Sequence, residues 1–377
     1  VSLTVGAIND APILDLDADD SAAMGSGFST SFTEDGGAVA ITDTDLSLSD
    51  IDDTTLESAT ISITNLQDGS AESLSVDLTG TAISASYDDV NGVLTLTGSD
   101  SIANYQQALL SLTYNNSSQN PTSIDRSISI VVNDGDTNSN VAISTVSIIS
   151  VNDAPSASDN TLSTNEDVAL VFSTADFGFS DVDGDGLSAV VIDGLPSSGT
   201  LALSGNTVTV NQVITAADIT AGNLIFTPAA NANGSGYASI GFSVQDDSGA
   251  SNNQSVSQTI SIDVTAVNDN PIAKPDSFLT AEDTQLTGNL LVDNGNGVDI
   301  DIDSSTLQVT AGTLTTTAGG SVIIDTNGDF SYTPATNFTG ADSFSYTLTD
   351  GDGGSATGSV SLTVGAINDA PILDLDA

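Results

Sequence analysis

Eighteen residues, VSLTVGAINDAPILDLDA, open the chain and return unchanged as residues 360–377, 359 positions later. Fidelity of that kind implies units that stack in series, each meeting the same neighbour, with the period continuing on both sides. A shorter string, Asn-Asp-Ala/Asn-Pro, recurs inside the long period, beginning at Asn9, Asn152, Asn268 and Asn368. Alternating apolar runs precede the last three: Val146-x-Ile148, Ile260-x-Ile262-x-Val264 and Val360-x-Leu362-x-Val364. Period-two alternation reads as a half-buried closing strand, and proline then ends the ladder and favours an extended linker. The chain therefore divides into residues 1–11, the last strand of a preceding repeat; three β-sandwiches at 12–154, 155–270 and 271–370; and residues 371–377, the start of the next repeat. Val1 follows no charged and apolar leader, which predicts a piece cut from something longer.

Between the linkers the pattern is all-β. Thr, Ser, Val and Ile dominate, Gly, Asn and Asp punctuate short runs, and segments such as DSFSYTLT (342–349) alternate cleanly. Helix is expected only at 101–110 (SIANYQQALL) and around 216–224, each just ahead of a strand. The predicted fold is three tandem Ig-like or cadherin-like sandwiches placed end to end.

Charge removes whole classes of function. Asp and Glu number 51 against two cations, Arg126 and Lys274, a net charge of −49. Two cations cannot neutralise a phosphate backbone, and an anionic bilayer surface would repel the chain, so neither nucleic acid nor direct membrane contact is expected. With no His and no Cys, the chain lacks Ser-His-Asp and Cys-His catalysis, thiolate chemistry, zinc sites and disulfides.

The acids themselves recur in register. Three of the five glutamates sit in the same dipeptide, Glu34-Asp35, Glu166-Asp167 and Glu282-Asp283. Glu166 and Glu282 each lie 11 residues past the linker proline, and Glu34 lies 22 past, which implies an 11-residue insertion near Asp15–Gly25 in the first domain. A second group follows each linker: Asp50 and Asp52; Asp181, Asp183 and Asp185; Asp299 and Asp301, followed by Asp303. A third precedes each closing strand: Asp134 and Asp136; Asp246 and Asp247; Asp350 and Asp352. Hard oxygen donors recurring in each unit suit Ca2+, which takes six to eight oxygens, whereas a single active site would not recur. Asp15, Asp17, Asp19 and Asp20 are expected to form a solvated acidic insertion. Arg126 is expected to pair with Asp125, and Lys274 to lie against the third linker.

These residues resemble the cadherin-like repeats of giant bacterial surface adhesins, including the VCBS-type domains of RTX adhesins. The third domain carries the pattern most fully, in TAEDTQLTGNLL (280–291), FSYTP (330–334), NFTGADSFSY (337–346) and TDGDGG (349–354). The second keeps NEDV (165–168), ADFGFSDVDGD (175–185) and FTPAAN (226–231); the first keeps FTED (32–35), LTYNN (112–116) and NDAP (152–155). The resemblance implies Ca2+ shared across junctions. Residues Glu34, Asn152, Asp153, Asp181, Asp183 and Asp246 would serve the first-to-second junction. Glu166, Asn268, Asp269, Asn270, Asp299, Asp301 and Asp350 would serve the second-to-third. Half-sites would fall at the ends: Asn9, Asp10, Asp50, Asp52 and Asp134 at one, and Glu282, Asn368 and Asp369 at the other. Animal cadherins carry an Asp two residues before the linker Asn, where this chain has Ala7, Ser150, Ala266 and Ala366.

The function implied is a non-enzymatic, calcium-stiffened extender of a repetitive adhesin at the bacterial cell surface, serving adhesion or biofilm formation. Its partners would be neighbouring identical repeats of the same chain, the fragment itself being monomeric. A sandwich module that binds carbohydrate, ice or protein is the alternative.

Overall fold

The computed structural model describes residues 8–368. It is nearly all-β, with 6% helix and 45% strand. Strands sort into three sets that share no sheet. The first set has a six-stranded sheet in the order Phe28–Thr33, Ala142–Ile149, Arg126–Asn133, Thr55–Ile63, Val93–Ser101, Ser84–Asp88. Facing it are a three-stranded sheet and the short pair of Ile13–Asp15 with Ser47–Ser49. The second set has a five-stranded sheet from Asn160–Asn165 to Gln212–Thr215 and a four-stranded one. The third set has two four-stranded sheets.

Each set encloses its own apolar cluster. Period-two alternation puts every second side chain inward: Arg126–Asn133 buries Ile128, Ile130 and Val132, and the closing strands bury Ile260, Ile262 and Val264, and Val360, Leu362 and Val364. Full burial of a Val, Leu, Ile or Phe is worth roughly 1.5–3 kcal/mol, so each cluster can sustain a separate core. Both expected helices are present. Ile102–Leu110 is capped by the Ser101 hydroxyl, which accepts from Asn104 N at 3.2 Å, and it buries Tyr105, Ala108 and Leu109. The second spans only Ala216–Thr220, because Gly222 takes a left-handed φ of +74° and the chain re-enters a strand at Leu224.

One pairing positions the glutamates. In every set a strand early in the sandwich, hereafter its opening strand, runs parallel to the closing strand: Phe28–Thr33 (after the short Ile13–Asp15) with Ala142–Ile149, Asn160–Asn165 with Gln258–Thr265, Asp276–Ala281 with Ser355–Gly365. The glutamate is the next residue. Its N–H closes the ladder on Ile149, Thr265 or Gly365 O, 2.9 Å in all three. The following aspartate, Asp35, Asp167 or Asp283, turns left-handed at φ 58°, 59° and 53°, which short polar Asp tolerates. The opening strand thus ends where the closing strand leaves its sheet, and the glutamate is left facing the linker.

Two sequence expectations are corrected inside the first set. Arg126 does not pair with Asp125. It is fully buried, its Nε 2.9 Å from both Glu72 carboxylate oxygens and Nη2 2.7 Å from Asp68 Oδ2, partners more than 50 residues away in sequence. Asp17 is not solvated either. Its carboxylate is buried under the insertion, accepting from Ser21, Ala22 and Ala23 N at 3.0, 2.6 and 2.8 Å. Burial alone would raise its pKa, but these donors outweigh it and hold the group down to about 2.

Candidate metal centres at the linkers

Each linker repeats one construction. The glutamate of the outgoing sandwich accepts the N–H just before the Asn-Asp pair: Val151 N to Glu34 Oε2 at 2.8 Å, Val267 N to Glu166 Oε1 at 2.6 Å, Ile367 N to Glu282 Oε1 at 2.7 Å. The Asn side chain donates to the next carbonyl, Asn9 to Asp10 O, Asn152 to Asp153 O and Asn268 to Asp269 O, at 3.1, 2.8 and 3.1 Å. The linker Asp N–H then binds the second carboxylate of the incoming Asp-x-Asp: Asp10 to Asp52 at 3.2 Å, Asp153 to Asp183 at 2.7 Å, Asp269 to Asp303 at 2.7 Å. The first carboxylate of that pair binds its own turn through Oδ1: Asp50 from Asp52 N, Asp181 from Asp183 N, Asp301 from Asp303 N.

The third Asp-x-Asp is therefore Asp301 and Asp303, one step later than spacing suggested. Asp299 belongs to the sandwich interior: Oδ1 accepts from Lys274 N at 2.7 Å and Oδ2 from the Tyr346 hydroxyl at 3.1 Å, beside Asp276. Asn270 turns to the third sandwich, its Oδ1 accepting from Ser355 N at 3.0 Å. Asp136 and Asp352 lend backbone N–H groups to Asp134 and Asp350, 2.7 and 2.8 Å, while their side chains lie exposed. Asp369 lies outside the described residues.

The geometry gathers carboxylates tightly. Asp181, Asp183 and Asp185 each bring an oxygen within 4.8 Å of the others, as do Asp50, Asp53 and Asp134. Asp53, beside Asp50 and Asp134, adds a carboxylate that the recurring spacing did not single out. Asp17, Asp43 and Asp45 form a third group in the first sandwich.

Among the described residues, eight buried side-chain polar atoms have no hydrogen-bond partner. Seven are linker oxygens: Glu34 Oε1, Asp50 Oδ2, Asn152 Oδ1, Asp153 Oδ2, Asp181 Oδ2, Asp246 Oδ2 and Asp301 Oδ2; the eighth is Ser144 Oγ. All seven only accept. An unpaired buried carboxylate oxygen is costly, and mutual repulsion adds to the cost. Burial, then Asp153, Asp183 and Asp35, raise the Glu34 pKa; burial, then Asp183, Asp35 and Asp181, raise Asp153. Asp269 rises through burial, Asp303, Asp167 and Glu166. Asp134 moves the other way: burial pushes it up, but the Asn9 amide and the Asp136 and Thr137 donors prevail and hold it at about 2. A hard divalent cation satisfies acceptor-only oxygens and removes the repulsion, so this donor set fits Ca2+.

Two family models match parts of the chain. Residues 151–261 match the cadherin-like domain family, and residues 268–363 match the bacterial Ig domain family. These two stretches are thus similar to cadherin-like and bacterial Ig domains, modules that are typically extracellular and non-enzymatic. Among solved structures, a protocadherin gamma B7 EC3-6 cis-dimer is similar at 14% identity and a TM-score of 0.47, over 94% of this chain and 77% of that one. Protocadherin gamma B2 domains 1-5 are similar at 14% identity and a TM-score of 0.35, over 79% of this chain and 53% of that one. An endo-fucoidan hydrolase of glycoside hydrolase family 107 is similar at 18% identity and a TM-score of 0.21, this chain spanning 39% of its length. No curated protein sequence matches the chain. Among the described residues no helix is long and apolar enough to cross a membrane.

Proposed function

We propose that the chain is a calcium-stiffened extender from a repetitive bacterial surface adhesin of the RTX type, its sandwiches bounded near 154/155 and 270/271 and its neighbours further copies of the same repeat. The observation that carries this reading is the set of buried, unpartnered acceptor oxygens confined to the linkers. Glu34 and Asn152 approach from one sandwich and its exit, Asp181, Asp183 and Asp246 from the next. An ion shared by them ties the end of one sandwich to the start of another. Without it, the −49 charge makes each linker a repelling hinge. The exact long repeat fits selection for reach, since stacked copies add length.

Small-angle scattering tests the reading. With millimolar Ca2+ the chain should give a single rod-like maximum dimension, on the order of 100–120 Å for three sandwiches of roughly ten to twelve residues per strand at 3.3 Å rise. Chelation should broaden that distribution. Identical curves in both conditions would leave the extender reading without support.

A further inference from the structure

The two complete linkers are built alike yet finished differently. At the first-to-second linker, Glu34 keeps Oε1 unpartnered although only 3% of the residue is exposed, and Asp246 keeps Oδ2 unpartnered at 1%. At the second-to-third linker both corresponding oxygens are taken by amides of the chain. Asn233 Nδ2 donates to Glu166 Oε2 at 3.1 Å, and Asn268 Nδ2 donates to Asp350 Oδ2 at 2.8 Å. A positioning residue explains why Asn152 does not do to Asp246 what Asn268 does to Asp350. Asn252 accepts from Asn152 Nδ2 at 3.2 Å and donates back to Asn152 O. That reciprocal pair turns the Asn152 amide nitrogen away and leaves its own Oδ1 buried and unpartnered. The charge count differs as well. The backbone N–H that closes the Asp-x-Asp turn belongs to Asp185 in the second sandwich and to Ser304 in the third. Asp185 joins the carboxylate cluster, and Ser304 adds no charge.

From these differences we propose that the two linkers are graded: the first-to-second binds Ca2+ more tightly, and the second-to-third is the one that loosens first as Ca2+ falls. The inference rests on the calcium reading above. Affinity in such oxygen sites follows ligand charge and rigidity. The first-to-second linker has one more carboxylate and oxygens that no internal donor must vacate. At the second-to-third, Ca2+ displaces two amide hydrogen bonds before it gains the same oxygens. An array of these repeats then carries a stiff joint and a compliant joint at fixed places in every repeat, so that its flexibility is set by position along the repeat.

Hydrogen-exchange mass spectrometry of the whole chain across a buffered Ca2+ titration reads both linkers in one sample. Peptides covering residues 150–154 should become protected at a lower Ca2+ concentration than peptides covering 266–270, by about tenfold, the scale on which outer-shell partners tune metal affinity. Asn252→Ala should raise the first midpoint by roughly tenfold and leave the second in place. Asn233→Ala, and independently Ser304→Asp, should lower the second midpoint. All three positions are exposed or part-exposed at loops, so the sandwiches survive the changes. Coincident midpoints, a reversed order, or variants that leave both midpoints fixed overturn the grading while the calcium reading stands. No Ca2+-dependent protection at either linker, with no heat on calorimetric titration, overturns both.

Discussion

Buried carboxylates occur in two regions of this molecule and are treated in opposite ways. Among the described residues, every buried carboxylate oxygen inside the sandwiches has a donor. Glu72 takes Arg126 Nε on both oxygens, Gln67 and Asp68 N on one and the Tyr114 hydroxyl on the other. Asp342 takes Tyr332 at 2.7 Å, Thr316, Thr317 and two backbone N–H groups. In the linkers the same residue types keep oxygens with no donor at all. The chain is rich in Ser, Thr and Asn that could have supplied one, and at Glu166 one does. The contrast teaches that burial of acid is satisfied internally within the sandwiches and leaves unmet acceptors between them, as the proposed ion sites require.

The comparison breaks most easily at Arg126. Arg126→Met leaves Glu72 buried without its cation and should cost the first sandwich about 3–5 kcal/mol in chemical unfolding, with the other two unaffected. Pairing it with Glu72→Leu should recover most of the loss. If the single variant unfolds like the parent, the interior acids are not held by their partners.

On the linker side, Ca2+ binding only the folded chain should add about 2.7 kcal/mol at a hundredfold excess over Kd, visible as a rise in Tm. Mg2+ should protect far less, because it demands octahedral geometry and holds its waters. Equal protection by both ions would reduce the linkers to charge screening. Smaller still, Tyr332→Phe removes one donor from Asp342 and should cost about 1.5 kcal/mol in the third sandwich alone, measured in the same unfolding experiment.

The subtlest separation is by pH, in chelator. Asp17 and Asp342 lie below their usual range in the fold, Asp342 because its Thr316 and Tyr332 donors outweigh burial. Their contribution is present above the unfolded value and is lost as pH falls, for Asp17 from about 3.8 toward about 2. Glu34, Asp153 and Asp269 are raised by burial and neighbouring acids, so protonation relieves them and the linkers gain as pH falls through their raised values. Mild acid should therefore raise the protection factors of the linker amides, taken relative to the intrinsic exchange rate at each pH, before it melts the sandwiches. Linkers that open first on acidification would contradict the repulsion assigned to them.

Local pattern was enough for much of this protein. Alternation set the strands and their inward faces, because period two acts within a few residues, and the Asn-Asp-Ala/Asn-Pro strings follow the strands that end at Ile149, Thr265 and Gly365. Contacts between distant segments were decided only in the folded chain. Arg126 meets Glu72 across 54 residues, and Asp17 is buried by a loop that closes over it. The third Asp-x-Asp facing the linker is Asp301 and Asp303, since the segment from Asp269 is longer than that from Asp153 and the Tyr346 hydroxyl donates to Asp299. The grading of the linkers depends on Asn252 and Asn233, loop amides that no motif marks. Sequence spacing counts residues along the backbone, whereas a ligand set is defined by where loops of unequal length return in space, and packing of the sandwiches fixes that.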